Sequence, residues 1–407
     1  MKIDLNGMLY ALSYALDCVE GELTGIKPGH GKWVAYFCVR MGKEYGMTQE
    51  QLFDLAACAV LHDNALTQYL SEERGEAVSD GRTAGKHCIF GEENMKDFPF
   101  YTDVRGVILY HHENADGSGF FKKKAEETPL MAQMIHLADL LDVSCRIHEV
   151  SAERWQSAER FLASGRDRLF DGSLVELFFR SVQKEQYLAL AGRQIDGLLS
   201  GELPGKPKEY PFYQVQSMLK VFGKIVDYKS PFTRNHSEQI AEKLMRVAEA
   251  YGYGQETKER LYVAGMLHDI GKMAIHNDVL EKPDRLTEDE FVYMQNHAWY
   301  TYVILSQISG FEDITRWASR HHEKLNGKGY PFGLKAGQLD EKERLLACID
   351  IYQALGEDRP YKPGLPHEKC IAIMRDMARN GFIDGKITDD LERIFAPTVL
   401  TGKNNSH

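Results

Sequence analysis

Apolar residues along this chain recur mainly at helical spacing. After His236, the positions Ile240, Leu244, Val247 and Tyr251 follow at intervals of three or four, and Gly252 ends the run. After His30, the positions Val34, Phe37, Cys38, Met41 and Tyr45 do the same, and Gly46 ends that run. Such spacing predicts amphipathic helices with a glycine at the C-terminal stop. Leu55, Cys58 and Leu61 lead into His62 at helical spacing, as Leu261, Ala264 and Leu267 lead into His268. Alternation at period two, the mark of a half-buried strand, is scarce. The pattern predicts an all-α protein of helical bundles, with polar ligands projecting inward from facing helices. No apolar run approaches the ~20 residues of a membrane helix, so no membrane contact is expected. The first helical stretch, Met8 to Glu20, carries Asp17 and lacks a following cleavage site, unlike a signal peptide.

The pattern occurs twice. Leu61-His62-Asp63 returns as Leu267-His268-Asp269, and His111-His112-Glu113 returns as His321-His322-Glu323. His30 precedes His62 by the same interval that separates His236 from His268. His87 precedes His111 as His297 precedes His321. Asp139 and Asp350 follow at nearly matching distances, and the offset drifts only from 206 to 211 along the chain. Ten of the fifteen histidines occupy these matched positions. A repeat of this length is a duplicated domain rather than a solenoid unit. Gly201-Glu202-Leu203-Pro204-Gly205-Lys206-Pro207 is the richest glycine and proline stretch. It places the boundary between a first unit at 1–203 and a second at 208–401.

With 407 residues there is room for two such domains. The net charge of −11 argues against loose binding to long nucleic acid, where phosphate contacts dominate affinity. Seven scattered cysteines without a Cys-x-x-Cys pair read as thiols in a reducing compartment, so a cytoplasmic location is expected. A protein partner or a homodimer stays open. Trp33, Trp155, Trp299 and Trp317 are expected in the core. Lys122-Lys123-Lys124 reads as a solvated loop face. Thr287, followed by Glu288-Asp289-Glu290, reads as a helix N-cap with acidic first-turn residues.

In the second unit, His236, His268, Asp269, His297, His321, His322 and Asp350 are ligand types that borderline divalent metals prefer. A lone His-Asp dipeptide means little, and a His-His pair often lies in a solvated turn. Seven such groups repeated in register point to metal. They are too many for one tetrahedral ion and suit two. Two close ions with a bridging carboxylate can share a hydroxide and stabilise a phosphoryl group under in-line attack.

His268-Asp269-Ile270-Gly271-Lys272 and His321-His322-Glu323-Lys324-Leu325-Asn326-Gly327-Lys328-Gly329-Tyr330-Pro331 resemble the two hallmark motifs of the HD-GYP family, a branch of the HD phosphohydrolase superfamily. Asp358-Arg359-Pro360-Tyr361 resembles the segment that follows the family's last metal-binding Asp. The resemblance covers roughly Phe212 to Pro397. It implies a helical HD fold and phosphodiesterase activity on cyclic dinucleotides, either cyclic di-GMP or 3′,3′-cyclic GMP-AMP (cGAMP), yielding a linear dinucleotide. It also implies two divalent ions (Fe, Mn, Ni or Co). His236, His268, Asp269 and Asp350 would hold one ion. Asp269, His297, His321 and His322 would hold the other. Asp269 and Lys272 would be catalytic, Lys272 contacting the scissile phosphate. Gly329 and Tyr330, with Gly327 and Pro331, would shape the substrate loop. Arg359 and Lys362 would face the second phosphate, unless they are solvated surface charges.

Three positions depart from the family pattern. Asn326 stands where an Asp is usual, which predicts a shifted loop. Asp284 replaces a usual Gly. Phe232 occupies the place of an extra carboxylate found in three-metal members, which predicts two ions. The first unit keeps a full ligand-type set in His30, His62, Asp63, His87, His111, His112 and Asp139, and with it the capacity to hold metal. It has Asn64-Ala65-Leu66 in place of Ile-Gly-Lys and Phe120-Phe121 in place of Tyr-Pro. Three readings compete for it, a second catalytic site of altered specificity, a metal-stabilised structural partner and a regulatory pocket, and a weakly active or inactive regulatory and structural role is expected. Two other readings compete with the phosphodiesterase: a different HD phosphohydrolase acting on a nucleoside phosphate, and a non-catalytic cyclic-dinucleotide receptor or docking protein.

Overall fold

The computed structural model describes residues 1–24, 29–66, 68, 85–203, 208–229, 236–282, 284–358 and 363–396. In the first half come α1 (Leu5–Thr24), α2 (His30–Tyr45), α3 (Gln49–Val60), α4 (Gly85–Met95) and α5 (Leu130–Cys145), with His30 on α2, His87 on α4 and Asp139 on α5. Then come α6 (Ala152–Gly165), α7 (Gly172–Ser181), α8 (Lys184–Leu188) and α9 (Ile195–Glu202). The second half repeats the series with α10 (Phe212–Lys229), α11 (His236–Ala250) and α12 (Gln255–Leu267). A 3-10 turn, Ile270–Ala274, precedes α13 (Asn277–Leu280), α14 (Glu288–Leu305) and α15 (Glu312–Ser319). The half closes with α16 (Glu341–Gly356), α17 (His367–Arg379) and α18 (Gly385–Phe395). The chain is all-α with two tandem helical units, as the periodicity predicts. The sheet among the described residues is β1 (Lys2–Ile3) paired antiparallel with β2 (Lys208–Glu209), Lys2 opposite Glu209. No helix among the described residues is long and apolar enough to cross a membrane.

Local chemistry sets the helix ends near the site. α2 buries Val34, Phe37, Cys38 and Met41. It stops at Gly46, whose φ of 90° suits glycine and whose N–H reaches the Gly42 and Lys43 carbonyls. Thr48 starts α3 and Thr287 starts α14, each in a reciprocal cap with the side chain three residues on. The acidic cluster after Thr287 is therefore an N-terminus, as expected.

The two units pack crosswise. Helix α1 lies against the Ile270–Ala274 turn and α14 of the second unit, while its counterpart α10 reaches α4 of the first. The β1–β2 pair and a 2.8 Å bond from the Met1 amine to the Tyr210 carbonyl join the starts of these two helices. Lys229, buried at the end of α10, donates Nζ to the Met273 carbonyl at 2.5 Å. One continuous apolar core therefore runs through both units.

Trp33, Trp155 and Trp317 are core residues, but Trp299 is 45% exposed. It lies two residues beyond His297 on α14, about 200° around the helix from that buried face. There it packs with Tyr302 and Phe332 at the surface.

Candidate metal centre

Five segments of the second unit bring seven side chains together. His236 opens α11, His268 and Asp269 end α12, His297 lies in α14, His321 and His322 follow α15, and Asp350 lies in α16. All but His322 are buried. Asp269 sits in the middle. Its Oδ2 lies 3.2 Å from His268 Nε2 and 3.9 Å from His236 Nε2. Its Oδ1 lies 3.6 Å from His297 Nε2 and 3.8 Å from His321 Nε2. Asp350 closes the first side, with Oδ1 3.5 Å from His236 Nε2, and turns Oδ2 toward His322 Nδ1 at 4.0 Å. Donor atoms of His236, His268 and Asp350 lie within 4.8 Å of one another, as do those of His297, His321 and His322.

The imidazoles are oriented as ligands. His268, His297 and His321 hold Nδ1 against the carbonyls of Gly265, Met294 and Ala318 at 2.8, 2.7 and 2.6 Å. A carbonyl only accepts, so Nδ1 carries the proton and Nε2 is a free lone pair. His268 Nε2 and Asp269 Oδ1 are buried without a hydrogen-bond partner. Acceptors that face acceptors in a dry site are costly unless a cation joins them. The residues present thus fit divalent metal.

Electrostatics agrees. Burial alone would raise the Asp269 and Asp350 carboxyls, yet the surrounding imidazoles, with Lys272 at Asp269, hold both well below the usual carboxylate range. Burial pushes His297 and His322 down, and His321 down to about 3. Ionised carboxylates and neutral imidazoles are the ligating forms. His236 is the exception. Burial opposes its charge, but Asp350 and Glu357 hold it at about 9. Glu357 Oε2 lies 3.2 Å from His236 Nδ1 and fixes that ring from behind.

Lys272, in the 3-10 turn, places Nζ 2.5 Å from Asp269 Oδ2, at the mouth of the cluster. The Tyr330 ring centre lies 4.8 Å from that of His322. Gly329 is obligatory there, because a Cβ would come within 2.3 Å of the Lys324 nitrogen. Buried Glu323 organises this loop, accepting from the N–H groups of Phe332, Gly333 and Leu334 at 2.7, 3.1 and 2.8 Å. Glu323→Ala is expected to cost about 1.5–3 kcal/mol, read as a lowered thermal midpoint, because it orphans a row of donors that had met a carboxylate.

Asn326 does not shift the loop, against expectation. Its Oδ1 accepts from Lys328 N at 3.0 Å, as Asp116 Oδ1 accepts from Ser118 N at 2.9 Å in the first unit. The turn needs an acceptor, not a charge. Arg359, Lys362 and Phe232 lie outside the described residues.

The first unit gathers its seven residues in the same way. Asp63 Oδ2 lies 3.7 Å from His62 Nε2, and Oδ1 lies 3.4 and 3.6 Å from His87 and His111 Nε2. Asp139 approaches His30 Nε2 at 3.3 Å and His112 Nδ1 at 3.8 Å. Asp142 holds His30 Nδ1 at 2.7 Å, the part Glu357 plays opposite. His62 Nε2, His111 Nε2 and Asp63 Oδ1 are buried without hydrogen-bond partners, so this set fits a cation too. Leu66 stands at the place of Lys272 and brings no charge.

Motif reading did not single out Glu357, Asp142, Glu323, Glu113 or Cys88. For the two loop glutamates a signal existed, since each follows a His-His pair in both repeats. Glu357 and Asp142 sit at different registers, and Cys88 has no counterpart, so comparison of the repeats hides them.

A family model described as "HD domain" matches residues 21–174 and 220–387. "3'3'-cGAMP-specific phosphodiesterase 1" of Vibrio cholerae serotype O1 is 27% identical over 96% of this chain and 92% of its own length. "3'3'-cGAMP-specific phosphodiesterase 3" of the same organism is 32% identical over 71% of this chain and 62% of its own. A cyclic di-GMP phosphodiesterase response regulator of Xanthomonas campestris pv. campestris is 33% identical over 43% of this chain and 47% of its own. A solved structure of a cyclic GMP-AMP specific phosphodiesterase from V. cholerae matches with a TM-score of 0.67 and 25% identity, covering 97% of this chain and 98% of that one.

Proposed function

The chain belongs to the HD-domain family, and we propose that its second unit is a metal-dependent phosphodiesterase that opens a cyclic dinucleotide to a linear one. The observation that carries this reading is Asp269, which turns one oxygen to each of two buried histidine pairs. Of the relatives named above, those aligned over most of this chain are named for 3′,3′-cGAMP. That favours 3′,3′-cGAMP over cyclic di-GMP. The seven free thiols suit a cytoplasmic setting.

His236, His268, Asp269 and Asp350 would hold one ion, and Asp269, His297, His321 and His322 the other. When bound, the ions supply Lewis acidity toward a phosphoryl oxygen and toward water. The chain supplies the rest. Burial of the cluster keeps bulk water out and strengthens every charge interaction within it. Lys272 at the mouth meets the negative charge that develops on phosphorus-bound oxygen. Tyr330 and Gly329 shape the wall beside His322. Water adds to phosphorus, the bond to the 3′ oxygen breaks, and a 5′-phosphorylated linear dinucleotide leaves.

The first unit acts as a structural partner. It lacks the lysine, and its α1 covers the turn that carries Lys272. Lys272→Met should lower kcat by about 10²–10³-fold while bound metal persists, as expected for loss of one transition-state contact. The direct test is hydrolysis of 3′,3′-cGAMP and cyclic di-GMP side by side, by chromatography, with Mn²⁺ or Fe²⁺. If neither is cut by protein whose metal content is verified, the reading fails and a receptor role takes its place.

A further inference from the structure

Among the buried positions where the two units differ, one follows a histidine of the metal cluster. His87 is followed by Cys88, whereas His297 is followed by Ala298. Both residues are fully buried. Cys88 Sγ lies 3.5 Å from His87 Nε2. Donor atoms of His87, Cys88, His111 and His112 all lie within 4.8 Å of one another. His111 Nδ1 is committed to the Ile108 carbonyl at 2.6 Å, and its buried Nε2 has no hydrogen-bond partner. That nitrogen aims its lone pair at the space Cys88 borders.

We propose that Cys88 is a thiolate ligand that completes, with His87, His111 and His112, a closed four-ligand site for a zinc-class cation in the first unit. Three imidazoles and one thiolate fill a tetrahedral shell with protein atoms, the hallmark of a structural site. In the second unit, Ala298 puts a methyl group where Cys88 puts sulfur, so the matching set of His297, His321, His322 and Asp269 has one protein ligand fewer and keeps a coordination position open for chemistry. The soft thiolate also changes the preferred ion, toward Zn²⁺ and away from Mn²⁺. Binding breaks the S–H bond, sends the proton to solvent and forms a metal–sulfur bond, with no change of oxidation state. Asp63 Oδ1, near His87 and His111, offers a further oxygen and links this site to the group His30, His62 and Asp139. The two units would thus hold different metals for different ends. None of this depends on the phosphodiesterase reading, because it concerns the metal selectivity of the other unit.

The test uses the full-length chain saturated with Co²⁺ and, separately, with Zn²⁺. Wild-type protein should show the near-ultraviolet thiolate-to-cobalt charge-transfer band. Cys88→Ala and Cys88→Ser should lose it. Zinc in the first unit should bind more than about 100-fold more weakly in both variants, beyond the 10–100-fold typical of a lost supporting contact, read by competition with a chromophoric chelator. The serine variant keeps the volume of the side chain if alanine proves poorly folded by circular dichroism. A cobalt-saturated wild type without the band overturns the proposal, as does a band that persists in either folded variant.

Discussion

Replacing Asp269 by Ala should abolish hydrolysis, by more than about 10³-fold, and should strip metal from the second unit. The carboxylate is the one group that faces both histidine pairs, with Oδ2 toward His268 and His236 and Oδ1 toward His297 and His321. Its loss leaves several buried imidazole lone pairs with no anion to share a cation with, and it removes the ionic partner of Lys272. Loss of a supporting contact alone typically weakens metal binding 10–100-fold, so loss of the shared ligand should exceed that. Metal content by mass spectrometry and turnover by chromatography read the two effects separately. Asp63→Ala should remove metal from the first unit and leave turnover largely in place. The reverse pattern would move the chemistry to the first unit. Turnover that survives in Asp269→Ala would end the phosphodiesterase reading of the second.

Gly271→Ala should be nearly as damaging, through packing rather than chemistry. A Cβ at position 271 would lie 1.9 Å from the His297 carbonyl oxygen and 2.5 Å from the Thr301 nitrogen. Both are backbone atoms of α14, so no rotamer change relieves the clash. The Gly271 N–H donates to Thr301 Oγ1 at 3.1 Å, and that hydroxyl donates to the His268 carbonyl at 2.9 Å. This short relay ties the Lys272 turn to the segments that carry His297 and His268. Forcing it open should cost roughly 3 kcal/mol or more, the upper end of overpacking penalties. It should also depress turnover by moving His297 and Lys272 together. Denaturation midpoints, compared rather than converted to one free energy for a two-unit chain, check the first effect. An unchanged midpoint would show that α14 can retreat.

The first unit solves the same approach the other way round. Ala65 stands at the register of Gly271, and Gly91 at that of Thr301. The Asn64 side chain now donates to the Gly91 carbonyl at 3.3 Å. The small residue has moved from the turn to the helix.

Much of this protein is legible in its sequence because helical period and ligand spacing are local properties. The apolar steps after His30 and His236 announce α2 and α11, and Gly46 announces where the first of these stops. The histidine register announces the duplication and the residues that converge, since equal spacing on equal helices returns side chains to equal places. Other features need the third dimension. Nothing in the spacing says that α1 covers the second unit's turn while α10 reaches α4, because crosswise and separate packing bury the same apolar faces. Glu357 and Asp142 gain meaning only when their helices set them behind His236 and His30. Trp299 is apolar by composition yet exposed, because its helix turns that face outward. Cys88 is one thiol among seven until the fold sets it against three imidazoles. Periodicity along the chain determines which elements form and which face each one buries. Which faces meet, and so which side chains share one dry space, is decided only when the helices pack, since contact energy depends on distance in space and not on separation along the chain.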